Sequence, residues 1–526
     1  MGATDALRLA KRLGLHDPGR VAAVAGALGR WGPTIATLYR AGALRHPLRP
    51  AVIDHRGALD YIQLDRRSSA LAKGLRAAGL QPAQRLGLLC FNHRDFVEAN
   101  VAAAKAGLDV VYLNTGFAGP QLADVIEREN IAGLVVDAAL HALVADIDFA
   151  GPQIIADEPA NTAPSGHHTM RDARRLGRSR STTLIPRASS PVLLTSGTTG
   201  LPKGANRADG AGDPRAAGGI FQAIPYRTGD VFCLPTPLFH AWGLSQLLVA
   251  ASLGSTVLLA PRFSPTDTVR SVVEHRATVL AVVPVMLQRL LAEPDLDLSQ
   301  MTSLRIVASS GSALPGPVSE QWMDRTGDTL YNLYGSTEVG QATIATPADL
   351  RAAPGTAGRV APGCDVAIVD HDGQPLPNGA EGRIFVANGS QFSGYTGGGT
   401  KEIIDGRMAS GDVGHFDEDD RLFVTGRADD MIVSGGENVF PGEVEDALLA
   451  DPRIADAAVV GVPDPSFGQR LAAFVVRAPG ASVSSKAVKE VVATELARHK
   501  VPRDVTFVDE LPRTTTGKLL RRSLTG

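Results

Sequence analysis

Residues Leu193–Ala205 read Leu-Leu-Thr-Ser-Gly-Thr-Thr-Gly-Leu-Pro-Lys-Gly-Ala. Gly197, Gly200 and Gly204 release the backbone from Cβ restrictions, so successive N–H groups can converge on one anion. The hydroxyls of Thr195, Ser196, Thr198 and Thr199 are donors of the kind phosphate oxygens accept, and Lys203 adds a mobile charge. A Gly/Ser/Thr surface turn has the same composition. The common nucleotide loop G-x-x-x-x-G-K-[ST] is not satisfied, because Pro202 stands where its second glycine belongs. Thr516-Gly517-Lys518 fails the same pattern, since Pro512 occupies the first glycine position.

Other short stretches carry matching chemistry. Tyr334-Gly335-Ser336-Thr337-Glu338 joins a flat aromatic face, hydroxyl donors and a carboxylate able to hold a hard cation such as Mg²⁺. In Ser309–Pro315, Gly311 would let backbone approach a ligand closely, beside Ser312 and Ala313. Asp412, in Ser410-Gly-Asp412, can accept two hydroxyl hydrogen bonds at once. Taken singly, each reads as a turn.

Taken in order, they resemble the AMP-forming adenylating enzymes: acyl-CoA synthetases, adenylation domains of peptide synthetases and firefly-type luciferases. The glycine stretch is similar to the family's [ST]-S-G-T-T-G-x-P-K-G, and Tyr334–Glu338 to Y-G-x-T-E, whose glutamate binds the Mg²⁺ of ATP. Thr195 is counted with Glu338 on the metal side. Ser309–Pro315 resembles the segment against adenine, and Ser410–Asp412 the T-G-D whose aspartate takes the ribose hydroxyls. Gly426–Glu445 is similar to the family's long G-R-x-[DK]-[DE] block. That match implies Arg427 at the ribose and phosphate, Asp429 at the hinge between domains, and Gly435, Gly436 and Glu437 beside a coenzyme A tunnel. Pro512–Arg521 resembles the block whose lysine, here Lys518, catalyses adenylation. Such a lysine would bridge the attacking carboxylate and the charge of a pentavalent phosphate. In relatives the stretch matching Phe239-His240-Ala-Trp242-Gly243 lines the acyl site. His240 is expected as a catalytic gate, and Trp242, Val283 and Gly335 as acyl-pocket residues; a packed core aromatic is the other reading of Trp242.

The resemblance implies an α/β fold. A large N-terminal domain, residues 1–428, would hold two αβ layers and a small β-barrel, with residues 1–48 as a helical extension. A small mobile α+β C-terminal domain, residues 429–526, would carry the lysine. The periodicity agrees. Strands are expected at Arg85–Phe91, Val110–Leu113 and Leu134–Asp137, with helices at Asp65–Ala78 (N-cap Asp65), Asp95–Ala106 and Pro120–Glu129. Residues 151–190 and 206–219 read as loops. From Val366 to Phe423 short strands and Gly-containing turns read as a β-rich subdomain.

The 526 residues exceed one ordinary core, and a net charge of −3 gives no reason to expect nucleic acid. Cys90, Cys233 and Cys364 lie far apart, which fits neither a zinc site nor a disulfide framework and suits the cytosol. No apolar run approaches the ~20 residues of a membrane span. Weak peripheral contact of the basic N-terminal region with the inner membrane face, and a homodimer, are compatible with the sequence. The expected reaction takes a fatty or otherwise apolar acid, ATP with Mg²⁺, and coenzyme A. The first product is acyl-AMP with pyrophosphate, and the second is the thioester with AMP. An acyl-AMP ligase loading a carrier protein, a silent acyl- or nucleotide-binding protein and a luciferase-like oxygenase are the alternatives.

Overall fold

The computed structural model describes residues 18–157, 168–179, 187–195, 203–206, 214–428, 430–434, 437–464, 468–514 and 517–524. The chain divides into two compact units. The first comprises residues 1–282, 300–307 and 389–401; the second comprises 283–299, 308–388 and 402–526.

The first unit contains two sheets. In one, the central strand Arg85–Leu89 pairs in parallel with Asp109–Tyr112 on one side and Ile131–Asp137 on the other. Pro191–Thr195 then follows Asp109–Tyr112 in parallel. The antiparallel strand Lys203–Asn206 lies beyond it, and Gly394–Tyr395 beyond that. These strands are almost continuously apolar because helices cover them. Leu89, Val111, Leu134 and Val136 have no exposed surface and pack with Leu122 and Val125 of the Gly119–Arg128 helix. In the other sheet, Pro50–Asp54 and Val231–Cys233 flank Thr256–Leu258 in parallel, and Val279–Val282 pairs with Val231–Cys233.

Among the described residues, the N-terminal region contains the helices Pro18–Trp31 and Ile35–Arg45. The second packs onto this unit: Arg45 donates to the carbonyl of Ser252 at 2.8 Å, and Tyr39 is 1 % exposed. Three local expectations need correction. The helix expected to start after Asp65 runs from Tyr61 to Ala77, capped by Asp60, which accepts from the Gln63 N–H. Asp65 instead faces the buried Lys105 ammonium at 2.7 Å. Residues 151–190, expected to be loop, include the strand Gln153–Ala156 and the helix Met170–Ser179. Residues 214–219 of the second expected loop begin the helix Pro214–Ala223.

The second unit has a small antiparallel sheet. In it Asp365–Val369 pairs with Gly382–Ala387, which pairs with Arg407–Phe416, which pairs with Leu422–Arg427. This is the expected β-rich region. Near the C-terminus, Ile454–Asp464 and Gly468–Arg477 form a long antiparallel pair, with Asp504–Phe507 parallel to the latter. Helices Pro441–Leu449 and Ser485–Glu495 pack there through Val444, Leu448, Val488 and Val492, none of which has exposed surface. Among the described residues, no helix is long and apolar enough to cross a membrane.

Candidate active site

In the second unit, a hairpin of Leu330–Ser336 and Gly340–Ala345 presents Tyr334–Glu338 at its turn. The register slips between Tyr334 and Gly335, bringing Gly335 opposite Gln341. Only glycine fits there: a Cβ on Gly335 would stand 2.1 Å from the Gly340 carbonyl oxygen. The Ser336 hydroxyl accepts the Glu338 and Val339 N–H groups and donates to the Glu338 carboxylate at 3.1 Å. That turn fixes Glu338 as a hard oxygen donor of the type Mg²⁺ takes. Thr337 lies in the same turn and is partly buried.

The Tyr334 phenol meets Asp412. Its hydroxyl donates to Oδ2 at 2.6 Å, and burial, reinforced by that carboxylate, pushes the phenol well above its ordinary pKa. Asp412 sits directly across the ladder from Arg427, whose guanidinium lies 3.5 Å from Oδ1. Gly411, at φ +91°, and the Ser410 hydroxyl, which accepts the Asp412 N–H, set the carboxylate's position. Three residues expected from separate motifs therefore form one hydrogen-bonded and ion-paired group.

Gly311 (φ +96°), Ser312 and Ala313 are exposed at the end of a strand. The Val283 side chain lies 3.3 Å from where a Gly311 Cβ would be. Val283 also borders the lysine turn, at 3.5 Å from the Gly517 Cβ position, while Val285 comes within 2.3 Å of it. Gly517 has φ +79°, so its missing side chain answers both the turn and the contact. The turn is closed by the Thr514 N–H donating to the Lys518 carbonyl, and by the Lys518 N–H donating to the Thr514 hydroxyl. Arg513, bidentate on Asp456 at 2.8 Å, anchors its base. The catalytic-lysine candidate is thereby held beside the Val283–Val285 segment.

The first unit holds the glycine stretch, His240 and Trp242, and the second holds Asp429, Gly435, Gly436 and Glu437. Thr195 ends one strand and Lys203 begins the next, directly opposite it. Ser196, Gly197, Thr198, Thr199 and Gly200 lie outside the described residues, as do Asp429, Gly435 and Gly436. Glu437 starts a short strand, Glu437–Val439. His240 is the N-cap of the Ala241–Leu253 helix. Its Nε2 is buried without a hydrogen-bond partner among the described residues, and burial lowers its pKa to about 3. A neutral imidazole results, suited to hydrogen bonding and steric gating rather than to charge. Trp242 donates its indole N–H to the Val282 carbonyl at 2.9 Å, pinning the helix start to a strand end. The expected acyl-pocket residues are thus split, with His240 and Trp242 in the first unit and Val283 and Gly335 in the second.

Sequence reasoning missed Asn92. It is 4 % exposed, donates to the carbonyls of Leu234 and Thr236 at 3.2 and 2.7 Å, and accepts from the Leu238 N–H at 2.9 Å. Pro235 and Pro237 have no N–H to offer, so one side chain organises the segment leading to His240. The available signal was its place just past the carboxyl end of a parallel strand, where such sheets carry their sites. Next to it, His93, Asp95 and Asp157 gather potential ligand atoms within 4.8 Å of one another. Arg56 already balances that group, at 2.9 Å from Asp95 and 3.6 Å from Asp157.

A sequence profile for the AMP-binding enzyme family matches residues 39–396, and one for the C-terminal domain of AMP-binding enzymes matches residues 443–518. The chain belongs to the AMP-binding enzyme family. Within it the chain is related to acyl-CoA and acyl-carrier-protein ligases. It is 31 % identical over 493 residues to the fatty acid–acyl-carrier-protein ligase ScoC of Streptomyces coeruleorubidus, covering 92 % of this chain and 94 % of the relative. It is 33 % identical over 480 residues to an indoleacetate–CoA ligase of Aromatoleum aromaticum, covering 88 % and 91 %. The structure of ATP-bound MatB from Rhodopseudomonas palustris matches with a TM-score of 0.81 at 28 % identity, over 93 % of this chain and 98 % of that one. The fold is that of the family, mixed α/β with a large N-terminal and a smaller C-terminal domain.

Proposed function

We propose that this family member is an ATP-dependent acyl-CoA synthetase for a fatty or otherwise apolar carboxylic acid. The observation that carries the reading is the docking of the Gly517-Lys518 turn on Val283 and Val285, one segment away from Gly311. A lysine held there can bridge an acid's carboxylate and the α-phosphate of ATP, stabilising the charge that builds in the transition state. Asp412 would take the ribose hydroxyls and Arg427 the ribose and phosphate. Tyr334, Gly335, Ser312 and Ala313 would border the nucleotide. Glu338 would hold Mg²⁺, which shields the polyphosphate, and Thr195 is the other proposed metal-side residue. Thr195–Gly200 and Lys203 would receive the phosphates.

The second half-reaction needs the lysine out of the way. Residues 429–526 are proposed to turn about Asp429, withdrawing Lys518 and bringing Gly435, Gly436 and Glu437 to the thiol's path, a gating role for domain motion. His240, neutral and with no partner on Nε2 among the described residues, would gate the acyl side, and Trp242, Val283 and Gly335 are the other proposed acyl-pocket residues. The apolar segment 279–287 favours an apolar acid.

Pyrophosphate release is the test, measured with Mg·ATP over acids from acetate to palmitate plus benzoate and indoleacetate, each with and without coenzyme A. Multiple turnovers only with coenzyme A support the reading, and the preferred acid defines the pocket. Acyl-AMP that coenzyme A leaves untouched would move the chain to carrier loading, a reading favoured by its likeness to the carrier-protein ligase ScoC.

A further inference from the structure

Glu129 is a carboxylate with no exposed surface, following the Gly119–Arg128 helix. Burying such a charge is costly unless it is paired. Arg85 approaches Oε2 at 2.9 Å and Arg128 approaches Oε1 at 3.2 Å. A third partner comes from far along the chain: the Thr396 hydroxyl donates to Oε1 at 2.9 Å. Both Glu129 and Thr396 press on Gly204. A Cβ there would meet Thr396 Oγ1 at 2.6 Å and the two Glu129 carboxylate oxygens at 2.8 and 3.0 Å. The Thr396 N–H donates to the Gly204 carbonyl at 2.8 Å, and Tyr395 pairs with Ala205. One residue before Gly204, the Lys203 ammonium lies 5.2 Å from the centre of the Tyr395 ring.

A buried ion pair at a sheet margin could serve stability alone. The placement of these contacts argues for more. They converge on the two residues where the glycine loop re-enters the sheet, and Lys203 faces Thr195, where that loop departs. We propose that Glu129, Thr396 and Tyr395 are positioning residues for the nucleotide. Glu129 orients Thr396, Thr396 clamps the backbone of Gly204, and Tyr395 presents the Lys203 ammonium to the phosphates. Residues 394–396 thus act as a strap on the strand that follows the phosphate loop. The inference rests on the reading of that loop as the ATP site.

The test uses the full chain with Thr396→Val, which keeps the shape and removes the hydroxyl, and Thr396→Ser, which restores it. Three quantities are compared: the dissociation constant for a fluorescent ATP analogue, the KM values for ATP and for the best acid, and the melting temperature. Losing a hydrogen bond to a buried charge should weaken nucleotide binding about tenfold in Thr396→Val. The acid KM should not change, and Thr396→Ser should bind as the unsubstituted chain does. If Thr396→Val fails to fold, Tyr395→Leu, which leaves the Glu129 ion pairs whole, carries the same ATP-specific expectation. Unchanged affinity, or equal weakening for acid and nucleotide, overturns the proposal and leaves the ATP reading standing. An unsubstituted chain that binds no analogue overturns both.

Discussion

Tyr334 donates its hydroxyl to Asp412 at 2.6 Å, which joins the end of one hairpin to the ladder that also positions Arg427. The phenol's raised pKa keeps it a donor across the physiological range. Tyr334→Phe removes the group that orients the carboxylate without changing the ring. Nucleotide KM should rise roughly three- to tenfold while the acid KM stays put, as expected for one hydrogen bond to a charged partner. Steady-state kinetics in both substrates would check this; an equal rise in both KM values would mean that Asp412 does not face the nucleotide.

The lysine turn supports a paired prediction. Lys518→Ala should lower adenylation ~10²–10³-fold, the scale seen when one charge-stabilising group is deleted. Thioester formation from supplied acyl-AMP should persist. Gly517→Val should imitate it by another route. A side chain there enters the 2.3 Å gap to Val285, and φ +79° adds about 1–2 kcal/mol of backbone strain. Adenylation should fall with Lys518 still present, and thiolysis should fall much less. Loss of both half-reactions to the same extent would assign the turn to general stability.

Burial holds the His240 pKa at about 3, against about 6.5 in an unfolded chain. Between those values the unfolded chain takes up a proton that the folded chain refuses, so stability falls as pH drops from 6.5 toward 3. Above about 6.5 both states are neutral and the penalty vanishes. His240→Asn should therefore lose less melting temperature between pH 7 and pH 5 than the unsubstituted chain. Parallel melting curves would show that this imidazole titrates normally.

Asn92→Asp keeps the size of the side chain but turns its amide donor into an acceptor facing the carbonyls of Leu234 and Thr236. The segment that delivers His240 should shift. We expect the acid KM to rise about tenfold or more, the scale of a buried polar group left mispaired, with ATP affinity preserved. Direct binding of the ATP analogue beside acid kinetics separates this from global destabilisation.

Much of this architecture was legible because the signals were local. Arg85–Leu89, Asp109–Tyr112 and Ile131–Asp137 are apolar runs of strand length between helical patterns, and each forms within a few residues of its expected bounds. Helix Met170–Ser179 was not legible, for a physical reason. It packs on the Tyr61–Ala77 helix through small residues rather than a greasy stripe. A Cβ on Gly177 would lie 1.9 Å from the Ala70 carbonyl oxygen, and one on Gly74 would lie 2.0 Å from that of Ala173. With Met170 and Leu176 its only large apolar residues, the helix shows no apolar period. At the site, Tyr334, Asp412, Arg427 and Lys518 stood out because each sits in a motif of its own. Asn92, Glu129 and Thr396 act through partners 142 to 267 positions away, and nothing in their immediate neighbours announces that.

The strap has a consequence for how the chain is made. Strand Lys203–Asn206 gains its outer partner only when Gly394 and Tyr395 arrive, roughly 190 residues later. At ordinary rates of synthesis that is about 10–40 s during which the nascent sheet offers an unpaired edge. Exposed edges recruit strands from other chains. The ribosome-bound intermediate consequently carries an aggregation-prone edge that the finished chain does not, and Gly394 and Tyr395 are the residues that cover it.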